Sequence, residues 1–136
     1  MNRKYIHLAL GMFMAAGVAG NGLAADVYVI ANSGTSVSAA DVREIFMGEK
    51  QFAGAVKIIP VDNVASQEGF LSKVLKMDTA KYAASWTKKA FRDGLSPPAS
   101  KSADAEVLEY VRRTPGAVGY VSTSPSGSGV TVVQKY

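Results

Sequence analysis

The order of elements in this sequence predicts an α/β domain in which helices pack on a small mixed sheet. Four short β-branched or aromatic runs are separated by segments whose apolar residues recur at helical spacing. Neither an internal repeat nor a linker long enough to divide the chain interrupts that order. The 136 residues are 48% hydrophobic and 19% charged, a balance that buries one core and excludes disordered and fibrous classes.

Asp26 to Ala31 reads as the first strand, and the turn Asn32-Ser33-Gly34-Thr35 follows it. Ser38 then stands as a helix N-cap with Asp41 three residues on, a capping-box arrangement. Ala39, Val42, Ile45 and Phe46 form that helix's apolar stripe, and Gly48 is placed to end it. Lys57 to Val61 is a second strand, with Pro60 confined to a strand end or edge because it donates no amide hydrogen. Ser66 is positioned to cap a helix that turns Phe70, Leu71, Val74 and Leu75 inward. Asp78 or Thr79 caps a third helix, with Tyr82, Ala83, Trp86, Ala90 and Phe91 assigned to its packed face. Gly94, Pro97 and Pro98 stop it and make a rigid extended link. A fourth helix opens at Ser102, carries Asp104 and Glu106 in its first turn and Arg112-Arg113 in its last, and buries Val107, Leu108 and Val111. That charge order suits the helix macrodipole. Thr114-Pro115-Gly116 ends it, and Ala117 to Val121 and Val130 to Val133 are the last two strands.

Residues 1–24 read as an address. Arg3 and Lys4 precede an almost wholly apolar stretch from Tyr5 to Val18, and Gly22-Leu23-Ala24 offers small residues at the cleavage positions. This is the layout of a secretory signal peptide cleaved after Ala24, which leaves residues 25–136 as the domain. Removal of Arg3 and Lys4 leaves 13 basic and 11 acidic residues, a net charge of +2, too small to argue for nucleic acid. Cysteine is absent from the sequence, and His7, the one histidine, leaves with the signal. Disulfides, thiolate zinc sites, histidine-dependent triads and a lipidated N-terminal cysteine are thereby excluded. The expected product is periplasmic, not a lipoprotein, without cofactor or metal, and not inserted in the membrane.

Several local patterns then recur in one order. They are Ile45-Phe46-Met47-Gly48, Ile59-Pro60-Val61-Asp62, Ser66 to Phe70, Val74-Leu75, Tyr82 to Trp86, Gly94 with Pro97-Pro98, and Thr114-Pro115-Gly116-Ala117-Val118-Gly119-Tyr120. In this the chain resembles the periplasmic phosphate-binding proteins of ABC transporters, and most closely their short single-lobe members. The resemblance implies a single lobe of a type II periplasmic-binding-protein-like fold, not an enzyme, that binds phosphate or a related small oxyanion. In two-lobed members, amides at helix N-termini and serine or threonine hydroxyls hold the anion, often with an arginine. The matching turn here runs from Asp62 to Glu68: Ser66 carries over, Asn63 stands about where the arginine would be, and Glu68 adds negative charge. Weak binding is therefore expected.

Ser66 is the leading oxyanion contact, with a plain N-cap as its other role. Ser33, Gly34 and Thr35 follow the first strand and are expected to line the same crevice, beyond the carboxyl ends of the strands. Gly116 and Gly119 are read as permitting tight turns or close packing, and Tyr120 as a half-buried strand tyrosine. Lys73, Lys76, Lys81, Lys88, Lys89 and Arg92 tilt the middle helices basic, either as a solvated face or as a docking surface for an acidic partner. The expected partners are the oxyanion and a transporter or sensor protein. The other function class is a protein-interaction or sensory accessory domain that keeps the fold without the solute.

Overall fold

The computed structural model describes residues 25–136. The signal-peptide reading falls on residues 1–24 and lies outside the described residues. Among the described residues, no helix is long and apolar enough to cross a membrane.

Strand β1 (Tyr28–Asn32) leads through a 3-10 turn (Ala39–Asp41) into α1 (Val42–Phe46). A small hairpin, β2 (Phe52–Ala53) and β3 (Val56–Lys57), precedes β4 (Ile59–Asn63). Helix α2 (Gln67–Phe70) continues as a π-helical segment (Leu71–Leu75), and α3 (Thr79–Asp93) follows. Then come β5 (Ala99–Lys101), α4 (Asp104–Arg113), β6 (Ala117–Val121) and β7 (Val130–Lys135).

Five strands form one mixed sheet in the order β5-β4-β6-β1-β7. Strand β4 runs parallel to both β5 and β6, with Val61 opposite Ala99 and Ile59 opposite Ala117. Strand β1 is antiparallel to β6 and to β7. Pro60 lies near the start of β4, before pairing with β5 begins at Val61, so its missing donor interrupts no ladder on that side.

Strand alternation sends successive side chains to opposite faces of the sheet. Ile30, Ala117 and Val121 meet Val107 and Val111 of α4 on one face. Val29, Ala31, Val118 and Tyr120 meet Phe46, Phe70, Leu71, Tyr82 and Trp86 on the other. Tyr120 is fully buried rather than half-buried: its ring stacks on Phe70 at 3.9 Å and meets Phe46 edge-on at 5.7 Å. Trp86 closes that core by donating its indole N–H to the Phe46 carbonyl at 3.0 Å. Gly48, at φ +73°, ends the α1 region against the Trp86 ring, as the sequence predicts. Gly119 lets α4 approach, since a Cβ there would stand 2.8 Å from Val107.

The Ser38–Asp41 device forms: the Asp41 carboxylate accepts from the Ser38 amide and hydroxyl, both at 3.0 Å. Its pKa is lowered chiefly by the Ser38 backbone hydrogen bond. Asp78 caps α3 by accepting from the Lys81 amide at 2.7 Å.

Other expectations are corrected. Ala83, Ala90 and Phe91 are exposed, Phe91 at 95%, because among the described residues no layer covers that side of α3. The packed face narrows to Tyr82 and Trp86. The Ser102 hydroxyl does not cap α4; Ala103 is at the N-cap, and the Ser102 amide donates to Glu106 at 3.1 Å. Strand β5 and the β2–β3 hairpin are too short and polar to have stood out as strands.

Candidate functional site

Strands β4, β5 and β6 point the same way, so their carboxyl ends gather at one edge of the sheet, where α2 and α4 begin. The side chains of Asn63, Asp104, Ser122 and Thr123 meet there, and Ser66 stands at the start of α2.

Asn63, the last residue of β4, is fully buried. Its amide nitrogen donates to the Asp104 carboxylate at 2.8 Å and to the Tyr120 carbonyl at 3.1 Å. Its side-chain oxygen accepts from the Ala65 amide at 3.2 Å, which shapes the turn into α2.

Asp104 opens α4, where the helix dipole favours a negative charge. Its other oxygen accepts from the Ser122 amide at 3.1 Å, the Ser122 hydroxyl at 2.7 Å and the Thr123 hydroxyl at 3.3 Å. Burial acts to raise its pKa, but the hydrogen bonds from Ser122, Asn63 and Thr123 outweigh it and hold the group below the usual carboxylate range. Asp104 is thus an internal anion seated on amide and hydroxyl donors. Replacing it with Ala should cost about 1–3 kcal/mol through the donors left unpaired, read as a lower thermal midpoint; an unchanged midpoint would contradict this account.

Ser66 takes the N-cap position of α2, with its carbonyl accepting from Phe70 and its amide donating to Asn63, both at 3.0 Å. Its half-buried hydroxyl makes no capping hydrogen bond, so the cap role read from the sequence is filled by backbone position alone. Glu68 lies in the first turn of α2.

Beneath this edge, Asp62 is 3% exposed and both its oxygens accept from tyrosines, Tyr82 and Tyr120, each at 2.9 Å. Burial pushes its pKa up to about 6, against the opposing effect of the two hydrogen bonds. Burial and the neighbouring Asp62 charge push both tyrosines upward, so they remain donors.

Ser33, Gly34 and Thr35 do not share this crevice. Strand β1 is antiparallel to β6, so its carboxyl end lies at the opposite edge of the sheet. There the Thr35 hydroxyl accepts from the Gly116 amide at 2.8 Å. The Ser33 amide donates to Gly129 at 3.1 Å and the Gly34 amide to the Asn32 side chain at 3.0 Å. A shared site would need the first strand to run parallel to β4 and β6, and it runs antiparallel to β6.

Asn63, Asp104, Ser122 and Thr123 were not singled out from the sequence as a site. A residue at the end of one strand, an acid at a helix start and a Ser-Thr pair after another strand become a motif only when the strands are known to be parallel neighbours. Among the described residues, no group of three or more His, Asp or Glu side chains is arranged to hold a metal ion.

No known family profile matches the sequence. No curated protein matches it either. Solved structures do match its fold. An ABC-type phosphate transport receptor from Vibrio cholerae superposes with a TM-score of 0.50 at 15% identity, over 82% of this chain and 47% of that one. A structure from Clostridium perfringens, assigned as a phosphate ABC transporter substrate-binding protein and holding bound phosphate, gives a TM-score of 0.56 at 14% identity, over 82% and 46%. The chain therefore has the fold of about half of each of these periplasmic-binding-protein structures, a mixed sheet flanked by helices. The chain spans about half the length of these structures.

Proposed function

We propose that this chain is an exported, periplasmic receptor-type lobe, not an enzyme, that contacts phosphate or a related small oxyanion weakly through the start of α2. Export rests on the signal-peptide pattern of residues 1–24. The oxyanion reading rests on one observation: Ser66 stands beyond the carboxyl end of β4, at a helix start, with a hydroxyl not used for capping. Ser33, Gly34 and Thr35, at the far edge, take no part in this site.

Weakness follows from the same geometry. Asp104 already holds the donors of Asn63, Ser122 and Thr123, and Glu68 adds repulsion beside Ser66. One lobe leaves half of an anion in water, where each contact is discounted by the high dielectric. Titration calorimetry with inorganic phosphate should give a Kd on the order of millimolar, about 4–6 kcal/mol of binding free energy. Ser66→Ala should abolish it, while submicromolar affinity in a monomer would defeat the reading. Tight binding would require a second lobe, supplied by a transporter component or another partner.

Asp104 also favours a second reading, an interaction or sensory accessory domain that keeps the fold without the solute. Its carboxylate already takes the amide and hydroxyl donors of Asn63, Ser122 and Thr123 that an anion at this edge would need. On that reading the wild type binds no phosphate, and Asp104→Ala gains measurable binding.

A further inference from the structure

The uncovered side of α3 is part of a larger apolar surface. One groove of about 700 Å³ runs between α3 and the segment that leads into β5, and Ala83, Ala90 and Phe91 line it. A second, of about 470 Å³, lies on the other side of that segment, over Ile58 and Ile59. Trp86, Pro97 and Pro98 line both, so the two grooves flank a single proline ridge. Phe91, at 95% exposure, stands at the rim, and among the described residues no layer covers it. An exposed phenylalanine beside two apolar grooves is the kind of surface that marks an interaction site.

The charge left unpaired at this surface is basic. Lys50 and Lys57 line the smaller groove, and Lys88 lies one helical turn before Phe91 and Arg92. Among the described residues, the side chains of Lys57 and Lys88 make no hydrogen bond or ion pair. Lys50 and Arg92 are paired with Asp41 and Asp93. Among the described residues, the one carboxyl lining either groove is Asp62, which is buried and bonded to its two tyrosines. A second copy of the chain would bring the same uncompensated lysines against themselves. An acidic segment would meet them with opposite charge while its apolar face filled the grooves.

We propose that the α3–proline-ridge surface docks an acidic, amphipathic segment of a partner protein, with Phe91 as the apolar anchor and Lys57 and Lys88 as its charged rim. Ser66 lines neither groove, although its neighbour Gln67 lines the larger one, and the docking does not depend on whether an oxyanion binds at Ser66.

Trp86 is the sole tryptophan of the chain and lines both grooves, so its fluorescence reports occupancy directly. The probe is an 18-residue helical peptide with a leucine stripe flanked by glutamates. Its control carries lysines in place of the glutamates. The acidic peptide should shift Trp86 emission saturably and more weakly at high salt, and the basic peptide should not. Phe91→Ser should leave the thermal midpoint unchanged, because the side chain is exposed, and weaken peptide binding by about tenfold or more. Lys57→Glu with Lys88→Glu should reverse the preference between the two peptides. The proposal is overturned if the acidic peptide gives no saturable signal, if both peptides bind alike, or if Phe91→Ser binds as wild type does. It is equally overturned if sedimentation shows a Phe91-dependent dimer, or if only vesicles containing phosphatidylglycerol shift the emission.

Discussion

Gly116→Ala is expected to lose the fold or most of its stability. Gly116 has φ +87°, a region that strains any residue with a Cβ. An added Cβ would also lie 2.0 Å from the Lys57 carbonyl oxygen. That neighbour is backbone and cannot rotate away. The glycine is held on both sides, since its amide donates to Thr35 and its carbonyl accepts from Ile59, each at 2.8 Å. Relief of the clash therefore means breaking the junction that starts β6 beside β4. The expected loss is at least about 4 kcal/mol, out of a total of roughly 5–15 kcal/mol for a domain. Gly54→Ala is the control: φ is +62°, but none of the described residues lies within 4 Å of the added Cβ. It should cost about 1 kcal/mol, the strain alone. Circular-dichroism melts of the two variants decide the matter, and equal midpoints would show that the Lys57 contact yields.

Asp62 should make the protein more stable in mild acid than at neutral pH. Its pKa rises from 3.8 in a free chain to about 6 in the fold, through burial. The folded state therefore holds a proton that the unfolded chain has released, and stability falls as pH rises between those two values. The contribution is fully present below about pH 4 and lost by about pH 7. Its size, from the shift, is about 3 kcal/mol. Asp41 and Asp104 have lowered pKa values, so their contributions appear with rising pH, below the range in which Asp62 acts. Asp62→Asn keeps an acceptor for one tyrosine and offers a donor to the other without a titrating charge. Urea unfolding at a series of pH values should show a fall in wild-type stability between pH 4 and 7, and the fall should be absent from the variant. Identical pH profiles would remove Asp62 from the account.

Much of the fold was legible because it depends on short-range rules. Ser38 with Asp41 and Asp78 with the Lys81 amide are local capping devices, and both form where the residue types placed them. The stop at Gly48 and the turn at Gly116 are legible for the same reason, since only a residue without a Cβ fits those backbones. Trp86 in the core follows from helical spacing. The candidate site was less legible. Ser66 could be named from its place after a strand, but whether its hydroxyl caps the helix or stands free depends on the angle at which the chain enters α2.

What the sequence determined by itself was the α/β class, the core-facing residues of most elements, and the absence of cysteine from the chain and of histidine from residues 25–136. Tertiary structure alone decided strand direction, and with it which loops meet. Antiparallel β1 carries Ser33–Thr35 away from Ser66, while parallel β4, β5 and β6 bring Asn63, Asp104 and Ser122 together. It also decided that Phe91 would be exposed, because an apolar residue at the edge of a helical stripe is buried only if another element covers it. Local sequence sets which residues share a face of a strand or helix. Which faces and ends meet is set by pairing and packing between segments far apart in the chain, and no local pattern encodes them.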